Sequence, residues 1–318
     1  MKAVILCAGC GERLRPLTNV LPKPLFPILG QPLLENIIYH LKKFGVNEIC
    51  INTHWLADKI AHYIEDSSNF GVKAHISYEP QILGVAGGIG TMRDFLKDEE
   101  LFIVHNGDIL TNLDPKPAID FHRKEHPLVT LILHNYKTFN NVIVSGNEIL
   151  DIGNQLYTRK ALGPFSTNLA FTGVSIMDPD IFDFLPYKKP CPINQIYIEL
   201  IKSHPGSLKG YVSDLFPIYR NREAHYWKDI GTLESYLDVH RDILVKRINV
   251  LSSQFIGTRG NIYISNNSTV SPLTKLAGFV SVGENCIIEE GVELENCILW
   301  DNVIVRKGEK TKNKVFYR

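Results

Sequence analysis

The chain has 318 residues, 44% of them apolar, with Lys plus Arg and Asp plus Glu each at 34 and a formal net charge of zero. That supplies a large core, in a chain somewhat long for one domain. Balanced charge gives no electrostatic case for a nucleic-acid partner. No apolar run approaches the ~18 residues of a membrane span, and Ala3–Ala8 is too short for a signal-peptide core. The expected location is therefore the cytoplasm, with thiols reduced.

In chain order, Lys2–Leu6 is an apolar, β-branched run that ends at Gly9 and predicts a strand. Pro32–Phe44 carries Leu33, Leu34, Ile37, Ile38 and Leu41 at helical spacing, with Pro32 suited to the first turn. Ile49–Asn52, Val72–Ser77 and Leu101–His105 read as strands, Trp55–Ile64 and Thr91–Leu96 as helices. This alternation predicts βαβ units and a parallel sheet, with ligands outside the carboxyl ends of its strands. Gly9-Cys10-Gly11 and Asn106-Gly107-Asp108 both follow strand ends. Leu128–His134, Val142–Val144 and Leu169–Met177 read as further strands, and Pro179–Phe184 and Ile193–Ser203 as helices, in a region expected to face the substrate. Thr232 is the expected N-cap of a helix running to about Lys246.

The C-terminal part changes character. Ile264, Val270, Leu276, Val282, Ile288, Leu294 and Trp300 recur every six residues, as do Val280, Cys286, Val292, Ile298 and Ile304. A six-residue repeat predicts a β-helix of hexapeptide coils. The expected domains are 1–248 and 249–318.

Cys7-Ala8-Gly9-Cys10 contains a Cys-x-x-Cys, yet no second cysteine pair stands in the chain to complete a zinc site. A redox motif would open a helix, whereas this segment is Gly-rich and followed by Pro16. The cysteines are therefore expected to be incidental. The alternative reading uses Gly9 and Gly11, which let backbone N–H groups approach one anion. Arg13 adds a planar charged fork and Lys23, between Pro22 and Pro24, a point charge.

Read whole, "LCAGCGERLRPLTNVLPKPLFPILGQPLLE" resembles the signature of the sugar-1-phosphate nucleotidyltransferases, or NDP-sugar pyrophosphorylases. Leu6, Ala8, Gly9, Gly11, Arg13, Leu14, Pro16, Leu17, Thr18, Pro22, Lys23, Pro24 and Leu25 meet it. The likeness extends through "FIVHNGDIL", "LAFTGVSIM" and "YWKDIGTLESY", to about residue 245. It implies a Rossmann-like, mainly parallel sheet flanked by helices, followed by a left-handed β-helix. The implied reaction takes an NTP and a sugar 1-phosphate to an NDP-sugar and pyrophosphate. The implied catalytic residues are Arg13, Lys23, Asp108 and Asp229, the two aspartates holding Mg²⁺. Ala8, Gly9, Gly11, Glu12, Arg13, Lys23, Glu79 and Gly84 are implied to bind nucleotide, with the Glu79 carboxylate accepting from the base.

Val85 stands where the guanylyltransferases' "LGTAG" form has Thr, and Asp151-Ile152-Gly153 stands where many members carry Glu-Lys-Pro. Arg159 or Lys160 is the candidate replacement for that lysine. "LKKFGVNEICINTHWLADKI" is similar to the branch containing N-acetylmuramate-1-phosphate uridylyltransferase. That likeness implies Asn106, Asn141 and Gly173 at the sugar, although the branch has Asp in the place of Asn141. The first substrate reading is GTP with a mannose-like 1-phosphate. UTP with an amino sugar such as N-acetylmuramate 1-phosphate is the alternative, and an inactive regulatory or sugar-nucleotide-sensing subunit is the alternative of another class. A homo-oligomer through the β-helix is a further expectation.

Overall fold

The structure, a computed structural model, describes residues 1–156, 166–213, 225–251 and 258–318. They pack as two compact units: Met1–Gly9, Leu41–Ile109 and Leu113–His225 in one, Cys10–His40, Leu110–Asn112 and Tyr226–Arg318 in the other. These units interleave along the chain. The division at 248/249 concerns a different feature, the start of the repeat. The α-helices are α1 (Leu33–Lys43), α2 (Ala57–Asp66), α3 (Gly84–Thr91), α4 (Arg93–Leu96), α5 (Lys116–Glu125), α6 (Ile193–Ser203) and α7 (Leu233–Leu244).

The first unit is built on a nine-stranded sheet. Its strands are β1 (Lys2–Leu6), β2 (Glu48–Thr53), β3 (Lys73–Tyr78), β4 (Phe102–Asn106), β5 (Val129–His134), β6 (Val142–Ser145), β7 (Glu148–Ile152), β8 (Ser166–Met177) and β9 (Leu208–Val212), in the order β3-β2-β1-β4-β8-β5-β9-β7-β6. β3, β2, β1 and β4 run parallel, with β1 between β2 and β4. β8 is antiparallel to β4 and β5, and β9 is parallel to β5. Ala3, Val4 and Ile5 are fully buried, as expected of a central parallel strand covered on both faces. Val4, Val104, Leu131 and Phe102 share one core with Ala86 and Ile89 of α3 and Leu200 of α6.

The sheet is therefore mixed, its parallel part where the βαβ alternation predicts it. α3 departs from the sequence expectation, which had a helix only over Thr91–Leu96. The chain is helical from Gly84, turns at Met92, and resumes as the short α4. Glycine is a poor helix former, and packing is what overrides this. A Cβ at Gly84 would stand 2.7 Å from the Cys191 carbonyl oxygen, and Gly87 and Gly90 lie against the Lys189 and Pro186 carbonyls. The Ala86 and Gly87 N–H groups donate to the Cys191 carbonyl at 3.1 and 3.3 Å.

In the second unit, Thr232 caps α7 as expected. Its Oγ1 accepts from the Ser235 N–H at 3.1 Å, and the Ser235 hydroxyl accepts from the Thr232 N–H at 3.0 Å. The C-terminal segment forms parallel ladders. Ile262–Ile264 pairs with Val280–Val282, Leu276 with Leu294, and Thr269–Val270 with Ile287–Ile288. Ile287–Ile288 then pairs with Ile304–Val305, and Ile298–Leu299 with Val315–Phe316. The first three pairs thus meet the chain again one turn of three hexads later, and the last two one residue sooner.

The hexad rows hold as far as Leu294 and then slip. Leu276 pairs with Leu294, yet Val280 pairs with Cys297 after a register shift between Ala277 and Val280. The later turn is one residue shorter at this corner. Leu299, Val303 and Val305 consequently line the core of the ladders with Val282, Ile288 and Leu294. Ile304, expected inside, is 43% exposed, and Trp300 is buried in another cluster, against Phe26 and beside Tyr236.

Candidate functional site

In the first unit, the carboxyl edge of the four parallel strands gathers Cys7–Gly9 after β1, Asn52 within the end of β2, Glu79 after β3 and Asn106–Asp108 at the end of β4. Asn52 ties three of these together. Its Oδ1 accepts from the Cys7 N–H at 2.7 Å, and its Nδ2 donates to Glu79 Oε1 at 2.8 Å. Glu79 Oε2 accepts from the Leu83 N–H at 2.9 Å, at the entry to α3. The Glu79 side chain is buried, so its carboxylate braces the loop after β1 and the start of α3. Each of its oxygens accepts from one protein donor.

Asn52 was not legible as a site residue, because an asparagine closing a strand carries no motif of its own. The Gly107 N–H donates to the Leu6 carbonyl at 2.9 Å, and a Cβ on Gly107 would stand 2.6 Å from Cys7 Sγ. This brings Asp108 beside the loop. Burial pushes the Cys7 thiol well above its ordinary range, and the charge of Asp108 adds to the effect. Such a thiol is held protonated, the opposite of a reactive thiolate. Gly9 is exposed, with nothing within 4 Å of where a Cβ would lie, and Ala8 is buried.

Two of the three expected sugar residues meet. Gly173, at φ +78°, lies at the irregularity in β8, where a Cβ would come within 3.0 Å of Asn106 Nδ2. Asn141 is exposed at the start of β6, its N–H donating to the Leu169 carbonyl at 3.0 Å. Gly84 opens α3. Arg159 and Lys160 lie outside the described residues.

In the second unit, Gly11 adopts φ +61° and precedes a 3₁₀ turn over Glu12–Leu14. Its carbonyl accepts from Thr18 Oγ1 at 3.0 Å, and a Cβ on it would stand 2.7 Å from Thr18 Cγ2. Left-handed backbone and close approach together require glycine here. Glu12 and Arg13 are exposed; Lys23 is half-buried and opens a second 3₁₀ turn, Lys23–Leu25. Arg13 and Asp229 converge on Gly231: a Cβ there would lie 2.6 Å from Arg13 Nη2 and 2.9 Å from Asp229 Oδ1. Lys228, next to Asp229, is turned away to Asp238 at 3.1 Å on α7. Tyr226 Oη donates to Asp242 Oδ2 at 3.1 Å on the same helix, which pins the start of the short strand Trp227–Asp229.

Asp108 lies in the first unit and Asp229 in the second, and each is a carboxylate, the hard oxygen donor that Mg²⁺ takes. Among the described residues there is no group of three or more His, Cys, Asp or Glu placed to hold a metal.

Residues 2–246 match the family described as Nucleotidyl transferase. The chain belongs to that family. N-acetylmuramate alpha-1-phosphate uridylyltransferase of Neisseria meningitidis is 44% identical to this nucleotidyltransferase over 248 residues, covering 73% of this chain and 94% of its own. Mannose-1-phosphate guanylyltransferase of Mycobacterium tuberculosis is 27% identical, over 96% of this chain and 81% of its own. UTP–glucose-1-phosphate uridylyltransferase of Synechocystis is 26% identical, over 100% and 87%. The solved structure of HddC from Yersinia pseudotuberculosis complexed with GMP-PN has a TM-score of 0.59 to this nucleotidyltransferase at 23% identity, over 75% of this chain and 97% of that one. The shared fold is the mixed α/β sheet with its helices. This is an enzyme of the sugar-1-phosphate nucleotidyltransferases. No described helix is long and apolar enough to cross a membrane.

Proposed function

We propose that the enzyme transfers a nucleotidyl group from an NTP to a sugar 1-phosphate and releases pyrophosphate. The observation that carries this reading is the convergence of Arg13 and Asp229 on Gly231 beside the Gly11 turn. It pairs a guanidinium suited to phosphate with a carboxylate suited to a cation. A phosphate monoester has a second pKa of about 6, so the sugar phosphate is already a nucleophile at neutral pH and needs no general base. Its oxygen bonds to the α-phosphorus as the bond to pyrophosphate breaks. The chain's work is to align the two phosphates and neutralise their charge.

In this reading Arg13 and Lys23 hold the triphosphate, with the backbone of Ala8, Gly9, Gly11 and Glu12 beside it. Asp108 and Asp229 would hold Mg²⁺, which would supply charge neutralisation at the phosphates. Asn106 and Gly173 orient the sugar, with Asn141 further out. The three-hexad ladders after residue 258 support a left-handed β-helix as the C-terminal element, and a homo-oligomer formed through it accompanies that reading.

The lead substrate reading is UTP with an amino sugar 1-phosphate such as N-acetylmuramate 1-phosphate. It rests on the 44% identical relative. The Glu79 carboxylate, which accepts from Asn52 and Leu83, could accept from the N–H edge of guanine or of uracil and so does not separate the two. The second reading, GTP with a mannose-like 1-phosphate, rests on a relative that matches 96% of the chain and so includes the C-terminal segment. Pyrophosphate release from each of the four NTPs against N-acetylmuramate, glucose and mannose 1-phosphates ranks the two. Turnover with UTP and N-acetylmuramate 1-phosphate at least tenfold above GTP and mannose 1-phosphate supports the first; the reverse order supports the second.

A further inference from the structure

The turn that carries Lys23 is short and bounded by prolines, and its far end is fastened to the C-terminal ladders. Phe26 N–H donates to the Lys23 carbonyl at 3.0 Å, closing the turn. The next residue, Pro27, presents its carbonyl to Tyr236 of α7, whose hydroxyl donates to it at 2.5 Å. Trp300, in the ladder segment, donates its indole N–H to the same Tyr236 oxygen at 3.1 Å. His240 Nε2 lies 3.3 Å from the Pro27 carbonyl. The Phe26 ring sits 5.3 Å from that of Tyr236 and 5.0 Å from that of Trp300. Phe26 and Tyr236 are fully buried and Trp300 is 5% exposed.

Buried hydroxyl and indole groups need partners, and here each is supplied by the next member of the chain Trp300–Tyr236–Pro27. Proline has no N–H, so the carbonyl is Pro27's one backbone hydrogen-bonding group. Packing of Phe26 fixes the turn laterally, and the Tyr236 hydroxyl fixes where it ends. The indole N–H in turn orients that hydroxyl, because an oxygen accepting from Trp300 is left with its proton to give to Pro27.

We propose that Trp300 and Tyr236 are positioning residues for Lys23, so that the C-terminal repeat sets NTP affinity through this relay. The inference rests on the reading that Lys23 holds the triphosphate. Its test is a double-mutant cycle on the full chain, with Mg²⁺-UTP and Mg²⁺-GTP titrated separately and thermal unfolding followed in parallel. Tyr236→Phe keeps the ring and removes both hydrogen bonds; Trp300→Phe keeps a ring and removes the N–H.

Each variant is expected to weaken binding of the preferred NTP by about tenfold, the worth of one or two buried hydrogen bonds. The KM for sugar 1-phosphate should stay within twofold. In a Lys23→Gln background, which weakens NTP binding by itself, Tyr236→Phe should add less than twofold more. A purely structural role would lower the melting temperature and add its full effect in both backgrounds. That outcome overturns the inference, as does unchanged NTP affinity in both Tyr236→Phe and Trp300→Phe. If Lys23→Gln alone binds both nucleotides as wild type, the underlying reading of Lys23 fails and the inference falls with it.

Discussion

Gly231 and Arg13 stand so close that a methyl group on the glycine would lie 2.6 Å from the guanidinium Nη2. Arg13 is exposed and its end is flexible, so the protein can accept Gly231→Ala by swinging the guanidinium away. The same methyl would meet Asp229 Oδ1 at 2.9 Å. Stability should therefore change little, by about 1 kcal/mol or less. Activity should fall by about a hundredfold or more, because misplacement of about 1 Å at a positioning group costs that much. Urea unfolding and steady-state rates on the same preparation check both halves. A variant that is badly destabilised, or one that is fully active, would contradict the geometry.

Asn52 makes a different kind of prediction. It satisfies the Cys7 N–H and one oxygen of the buried Glu79 carboxylate. Asn52→Leu leaves both without that partner, at a cost of about 1–3 kcal/mol for each group stranded. Melting temperature should drop by several degrees, and NTP KM should rise because the loop after β1 loses its anchor. Asn52→Asp should be worse, since it sets a second carboxylate against Glu79.

Asp108→Asn and Asp229→Asn should each lower kcat by two or more orders of magnitude, in line with loss of one charged group that steadies phosphate charge. The Mg²⁺ concentration for half-maximal rate should rise in both. Either variant with near-wild-type rate and Mg²⁺ dependence removes that residue from the proposed metal pair.

Acid stability should be governed in part by two buried histidines. Burial holds the His240 imidazole down to about 3 and that of His122 to about 4, against an ordinary 6.5. The unfolded chain therefore takes up these protons first as pH falls. Each histidine contributes stability that is full above pH 6.5 and is lost as pH falls toward 3 for His240 and 4 for His122. The slope is at most about 1.4 kcal/mol per pH unit per histidine. Urea midpoints at several pH values between 7 and 5 should show a shallower dependence in His240→Gln than in the wild type. Equal slopes would refute the assignment.

The parallel half of the sheet was legible because β1, β2 and β4 are short apolar runs separated by helical spacing. The loop glycines were legible because Gly11 sits in a fixed-spacing motif. α3 was not, since four of its eight residues, Gly84, Gly87, Gly88 and Gly90, disfavour helix locally. The carbonyls of Cys191, Lys189 and Pro186 that make Gly84, Gly87 and Gly90 necessary lie about a hundred residues away, and Gly88 instead lies against Glu79 and Asn52. Nor did the hexad rows disclose that the last turn loses a residue, because Trp300 and Ile304 are apolar and match the row while standing outside its core. Glu79 was legible as a notable residue, but its bracing contacts were not. Which way a carboxylate faces depends on Asn52 and Leu83, and no local pattern carries that.

The most direct test of the central claim is pyrophosphate release by the full chain in a three-component assay. NTP, sugar 1-phosphate and Mg²⁺ are supplied together and then each is left out in turn. Release should appear with all three and disappear when any one is omitted, with NDP-sugar formed in equal amount. Release that persists without the sugar 1-phosphate, or its absence across all four NTPs and the full set of sugar phosphates, would contradict the account.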